Sequence, residues 1–158
     1  MSNRLVAYFS AGGVTAKVAE RLAAAVGADL SEIIPTQPYS EKDLKGTNPL
    51  ARCNKEKIGK KDVPIKNRIS KMDQYDVVYV GFPIWYYSAP NIIVTFLKLY
   101  DFSGKKIALF ATSGGSDIGR TAEKIRPLIP GDVNIVASKL FQPTDGDEIL
   151  RAWAESVG

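Results

Sequence analysis

Runs of apolar, β-branched and aromatic residues recur along the chain, separated by stretches with helical spacing. Arg4 to Phe9, Tyr75 to Phe82 (YDVVYVGF) and Lys105 to Ser113 (KKIALFATS) are apolar at their centres, the pattern of strands covered on both faces. Val133 to Phe141 (VNIVASKLF) supplies a further strand region, and Asp29 to Ile34 (DLSEII), shorter and only partly alternating, reads as an edge strand. Between these, Val14, Val18, Leu22 and Val26 fall four apart and predict one face of a helix that Gly27 stops. Further helices are expected at IKNRISKM (65–72), NIIVTFLKLY (91–100), IGRTAEKIRPLI (118–129, closed by Pro130 and Gly131) and GDEILRAWAESV (146–157). For the last, Thr144 or Asp145 is the expected cap, with Ile149, Leu150, Trp153 and Val157 on the inner side.

Five strands alternating with five helices imply an α/β doubly wound parallel sheet with helices on both faces, in one domain over residues 1–158. Residues 35–64 carry Pro35, Pro38, Gly46, Pro49, Gly59 and Pro64 among many lysines, which breaks both periods and predicts a long basic loop. In such a fold ligands sit beyond the carboxyl ends of the strands. The loops there are SAGGVT, GFPIWYYSAP and ATSGGSD.

Composition removes several chemistries. The chain has no histidine and one cysteine, Cys53, so histidine triads, the common zinc arrangements and an intramolecular disulfide are excluded. The net charge of +4 is concentrated: Lys42 to Lys71 holds 10 basic and 3 acidic residues, and the remainder holds 11 basic and 14 acidic. That basic segment has no interleaved aromatics and matches no nucleic-acid module, so no nucleic-acid partner is expected. No apolar run approaches the roughly 20 residues of a membrane span, which predicts a cytoplasmic chain without membrane insertion.

The first loop has the spacing of an anion cradle: Ser10 and Thr15 bracket a turn whose backbone N–H groups can point inward at a helix start. It lacks the lysine of a nucleotide P-loop and the three glycines of a dinucleotide fingerprint. The second loop sets Trp85, Tyr86 and Tyr87 beside a strand end, where rings can cover a flat ligand. The third, TSGGS, is open enough for its backbone to approach a ligand and donate amides. An anion cradle, an aromatic platform and a glycine loop on neighbouring strands describe a site for flavin mononucleotide (FMN).

The three loops, in this order, resemble those of the flavodoxin-like family, over nearly all of the chain: YFS-x-x-G-x-T after the first strand, GFPIWY after the third and TSGGS after the fourth. The resemblance implies strand order 2-1-3-4-5, non-covalent FMN and electron transfer with a redox partner protein or NAD(P)H reductase. Carried over by position, Ser10, Gly12, Gly13, Val14 and Thr15 form the phosphate loop, Pro83, Ile84, Trp85 and Tyr86 line the ring, Ser113, Gly114 and Gly115 lie on the pyrimidine side, and Thr112 joins the cofactor-binding set. No side chain is assigned as a catalytic acid or base, and no metal ligand is assigned. Gly12 and Val14 stand where the family usually carries hydroxyl residues. Without compensation, two lost bonds to a charged group weaken binding about a hundredfold to several thousandfold. Two other functions fit the same residues: an FMN-dependent NAD(P)H quinone-type reductase, to which the basic segment points, and a flavin-free binding module with a degenerate phosphate loop, to which Gly12 and Val14 point.

Overall fold

A computed structural model describes residues 3–10, 13–34, 65, 69, 72–83, 91–112, 123, 125, 129, 133–142 and 145–157. Strands β1 (Arg4–Tyr8), β2 (Asp29–Glu32), β3 (Val77–Pro83), β4 (Lys106–Thr112) and β5 (Asn134–Phe141) form one sheet in the order β2-β1-β3-β4-β5. Every pairing is parallel, so the expected order 2-1-3-4-5 is the observed one. Helices α1 (Val14–Val26), α2 (Asn91–Leu99) and α3 (Asp147–Val157) accompany it, with a 3-10 turn at Met72–Gln74.

Alternation along each central strand divides the core in two, because successive side chains point to opposite faces. Leu5, Ala7 and Phe9 join Val78, Val80, Phe82, Ile107, Leu109 and Ala111 on one face, beneath Ile92, Ile93, Phe96 and Leu97 of α2. Val6 and Tyr8 join Val77, Tyr79, Ala108 and Phe110 on the other, beneath α1 and α3. The β2 strand lies at the sheet edge and is largely exposed, as its weak alternation predicts.

The two faces explain why the helices sit where they do. On α1 the buried residues are Thr15, Val18, Ala19, Leu22 and Ala23, and Gly27 ends the helix in the left-handed region at φ 67° with its N–H on the Ala23 carbonyl. Val14, expected on the inner face, is 46% exposed. At 3.6 residues per turn a four-residue step overshoots by about 40°, so a row spaced by four slants off the face at its end. On α3 the buried set is Leu150, Ala154 and Val157, and Ile149 is 46% exposed rather than inward. Ile149 precedes Leu150 by about 100° of rotation, which places it on the flank.

Asp145 does not cap α3. The Gly146 carbonyl accepts from the N–H groups of Ile149 and Leu150, which makes Gly146 the capping position. The Asp145 carboxylate, one residue early, accepts from the Gln142 N–H at 2.8 Å. Thr144 lies outside the described residues. Arg21 fastens α1 to this turn, with Nε 2.8 Å from Asp147 Oδ1 and a second bond to the Asp145 carbonyl. Arg151 Nε returns the link at 3.1 Å to the Ala25 carbonyl.

The short helix expected over 65–72 is absent at its two described inner positions: Ile65 is a bridge residue and Ile69 is irregular. Both pack against the α2-side core, and the Ile69 N–H donates to the Tyr100 hydroxyl at 2.7 Å. Core packing holds Ile65 and Ile69, and a side-chain acceptor satisfies the Ile69 N–H. Of the helix expected over 118–129, Glu123 and Ile125 are described as helical, and Ile125 is buried. The basic loop at 35–64 lies outside the described residues.

The β5 strand reaches both core halves by a bulge. Ile107 pairs with Ile135, but Ala108 pairs with Ala137, so Val136 falls between them. Ile135 therefore packs on the α2 side, while Ala137 and Phe141 pack on the α1–α3 side, although spacings of two and six would put all three on one face.

Candidate functional site

The carboxyl ends of β1, β3 and β4 lie side by side. Tyr8 pairs with Gly81, Pro83 with Thr112, and the Phe9 N–H donates to the Gly81 carbonyl at 2.9 Å. The register thus brings Ser10, Pro83 and Thr112 to one edge of the sheet. Ile84, Trp85, Tyr86, Ser113, Gly114 and Gly115 continue from two of these ends, and with Gly12 they lie outside the described residues.

The first loop closes on itself through Ser10, whose Oγ accepts from the Gly13 N–H at 3.0 Å. Gly13 sits at φ 91°, in the left-handed region that glycine alone enters without cost, and this conformation starts α1 directly behind it. Among the described residues no side chain caps α1, and its first turn carries no acidic residue. Its leading N–H groups therefore keep their positive partial charge, and no carboxylate in that turn opposes an anion. A Cβ added to Gly13 would meet nothing within 4 Å, so space is open beside the turn.

Thr15 is placed differently from Ser10. Its hydroxyl lies 2.7 Å from the hydroxyl of Thr112, and the two residues are 2% and 3% exposed. Thr112 follows Ala108 and Phe110 on the face that α1 covers, so strand alternation aims its side chain at the start of α1. The first turn of α1 and the end of β4 are thereby joined by a buried hydroxyl pair. Sequence reasoning assigned both threonines to the ligand but missed this contact, which spans 97 positions.

Tyr8, one residue before Phe9 at the end of β1, is buried, which raises its pKa, and the negative charges of Glu32 and Glu20 raise it further. Its phenol stays neutral at physiological pH, so Tyr8 contributes no charge beside the anion loop. Gly81 is a second residue that sequence reasoning passed over. A Cβ there would fall 2.9 Å from Phe110 Cε1 and closer still to Cζ and Cε2, so the glycine makes room for the ring of its cross-strand partner. In sequence it stands inside GFPIWY with no sign that its reason is packing.

The residues present fit a flavin phosphate at the first loop: a glycine in the required conformation, helix-start amides that no described side chain caps, no carboxylate in the first turn, and a buried hydroxyl pair with one proton left to donate. The opposite rim of the sheet carries a cleft of about 710 Å³ lined by Asn3, Arg4, Asp29, Gln74, Tyr75 and Glu155, among others, at the amino ends of the strands. That is the wrong end for a ligand of this fold.

Among the described residues no helix is long and apolar enough to cross a membrane. No curated protein matches the chain. Among solved structures, a candidate flavoprotein from Bacteroides eggerthii is 41% identical, with 99% of this chain and 98% of that one covered and a TM-score of 0.92. A second from Bacteroides uniformis is 34% identical over 98% of each chain, at TM-score 0.90. A flavoprotein from Lactobacillus acidophilus in complex with FMN shares the fold at 21% identity and TM-score 0.69, covering 98% of this chain and 99% of its own. The sequence model of the flavodoxin family matches residues 3–157, and with this sheet order and these relatives the chain belongs to that family.

Proposed function

We propose that the protein binds FMN non-covalently at the carboxyl edge of β1, β3 and β4 and serves in electron transfer. The observation that carries the reading is the first loop: Gly13 at φ 91°, closed by Ser10 and opening onto a helix start that no described side chain caps and whose first turn is not acidic. Backbone amides supply this cradle, so glycine and valine at positions 12 and 14 remove side-chain donors without removing the main-chain ones. Family membership and the two Bacteroides relatives support a flavin cofactor.

When bound, FMN supplies one- and two-electron redox chemistry, and the protein sets access and potential. Ser10 orders the Gly13 amide, and Thr15 would donate its hydroxyl to the phosphate. Pro83 and Thr112, paired across β3 and β4, fix where the second and third loops leave the sheet. Ile84, Trp85 and Tyr86 would line the ring, and Ser113, Gly114 and Gly115 would face its pyrimidine side.

A redox partner protein is the expected donor or acceptor. The net +7 of residues 42–71 favours a second reading, a reductase that takes NAD(P)H and a quinone-type acceptor, since basic residues suit the phosphates of the dinucleotide. Titration of the purified protein with FMN, followed by quenching of flavin fluorescence and retention through desalting, tests the cofactor. Absence of binding at high micromolar FMN would overturn the reading and favour a flavin-free module. Steady-state NAD(P)H oxidation with a quinone separates the two redox roles: turnover assigns the reductase, and silence with rapid reduction by a partner reductase assigns the carrier.

A further inference from the structure

The Thr15–Thr112 pair holds two hydroxyl protons, of which the bond between them uses one. The donor in that bond is set by whatever the second proton must satisfy, because both residues are nearly sealed from water. A phosphate dianion offers acceptors only. If Thr15 donated to Thr112, the oxygen of Thr15 would face the anion with its lone pairs. If Thr112 donates to Thr15, the proton of Thr15 is released toward the anion, and both protons are used.

We infer that Thr112 is a positioning residue of the anion site: its hydroxyl donates to Thr15 and thereby turns the Thr15 O–H toward the phosphate of the flavin. The inference rests on the FMN reading and gives Thr112 a role through Thr15 rather than through the flavin ring. Thr112 is suited to it by its place in the fold. It ends β4 in register with Pro83, and it continues the Ala108–Phe110 row that faces α1. Its backbone therefore fixes its hydroxyl independently of the first loop. The same bond makes the last residue before the third loop part of the first loop's ligand set, so phosphate recognition depends on a strand two places away in the sheet from β1.

The test uses the flavin-free full chain and two flavins that differ by the phosphate, FMN and riboflavin. Thr112→Val keeps the shape and removes the hydroxyl, and Thr112→Ser keeps the hydroxyl. Thr112→Val is expected to weaken FMN about fivefold to tenfold, leave riboflavin unchanged and be rescued by Thr112→Ser. Thr15→Val, which removes the donor itself, is expected to cost about tenfold to a hundredfold for FMN, with no added loss in the double variant. Equal weakening of both flavins by Thr112→Val would mark a merely structural residue and overturn the inference, as would an unchanged FMN affinity.

Thermal melting with inorganic phosphate keeps this test separate from the flavin reading. The natural protein should melt at a higher temperature with phosphate, and Thr112→Val should lose that rise. If the natural protein bound no flavin but showed a phosphate-dependent rise that Thr112→Val abolished, the flavin reading would fall and the hydroxyl relay would stand. A natural protein that binds FMN more tightly than riboflavin, with that preference intact in Thr112→Val, would overturn the relay alone.

Discussion

Replacing Gly81 by alanine puts one methyl group where the core has no room for it. The new Cβ would fall 2.9 Å from Phe110 Cε1 and closer to two other ring carbons, against a comfortable carbon separation of about 3.5–4.0 Å, so the ring must retreat by about 1.3–1.8 Å. Retreat is blocked by Phe141 and Trp153, whose ring centroids lie 6.3 and 6.4 Å from that of Phe110. Moving the backbone instead would strain the Phe9–Gly81 bond that seats the first loop. Overpacking costs about 1–3 kcal/mol, and the better strand propensity of alanine offsets about 0.5–1 kcal/mol of it. A net loss of about 1–2 kcal/mol lowers the urea midpoint by roughly 0.5–1 M. Leucine at 110 lacks the Cε and Cζ atoms of the clash, so in the Phe110→Leu background the Gly81→Ala cost should shrink to less than half. A Gly81→Ala protein within about 0.5 kcal/mol of the natural one, or losses that simply add in the double variant, would refute the packing argument.

Burial raises the pKa of Tyr79, and the charge of Glu155 adds to the rise against the opposing charge of Arg4. The unfolded chain loses that proton first, so folded stability is full below the ordinary value of 10.0 and falls as pH rises through the raised one. Urea midpoints measured from about pH 8 to about pH 11 should fall less steeply in Tyr79→Phe, and an identical slope would remove Tyr79 from the account. Lys105 is buried, with Nζ 2.6 Å from the Tyr75 carbonyl and 3.4 Å from that of Asp73. Methionine keeps the stem and loses these bonds, so Lys105→Met should cost about 1.5–3 kcal/mol and lower Tm by roughly 3–12 °C in a melting scan. A Tm within about 1 °C of the natural protein would show that water replaces the ammonium freely.

The strands were legible because burial on both faces leaves a continuous apolar run, and β1, β3 and β4 are such runs. Gly27 was legible because a helix stop needs a residue in the left-handed region, and Gly27 adopts it. The rotation of helices about their axes was not. Val14 and Ile149 are as apolar as their neighbours, and only the direction from which the sheet approaches decides that they face outward. Within the site, Ser10, Gly13 and Thr15 could be picked out locally because turn and helix start are local. The Thr15–Thr112 bond depends on which strand lies under α1, so no window of sequence contains it. Gly81 was hidden for a related reason: its constraint is the ring of Phe110, on a different strand.

The bulge in β5 has a consequence for how the chain tolerates changes in length. Val136 has no counterpart on β4, so β5 holds one residue in reserve. A chain one residue shorter there keeps Ile135 opposite Ile107, Ala137 opposite Ala108 and Phe141 beside Trp153, each on its present face. The β3 strand pairs with β1 and β4 without a shift anywhere in its register. Removing a residue from it would turn every later side chain to the wrong face and carry Pro83 and the second ligand loop out of line with Thr112. Single-residue deletions are thus accommodated at the sheet edge and forbidden at its centre, where the ligand loops originate.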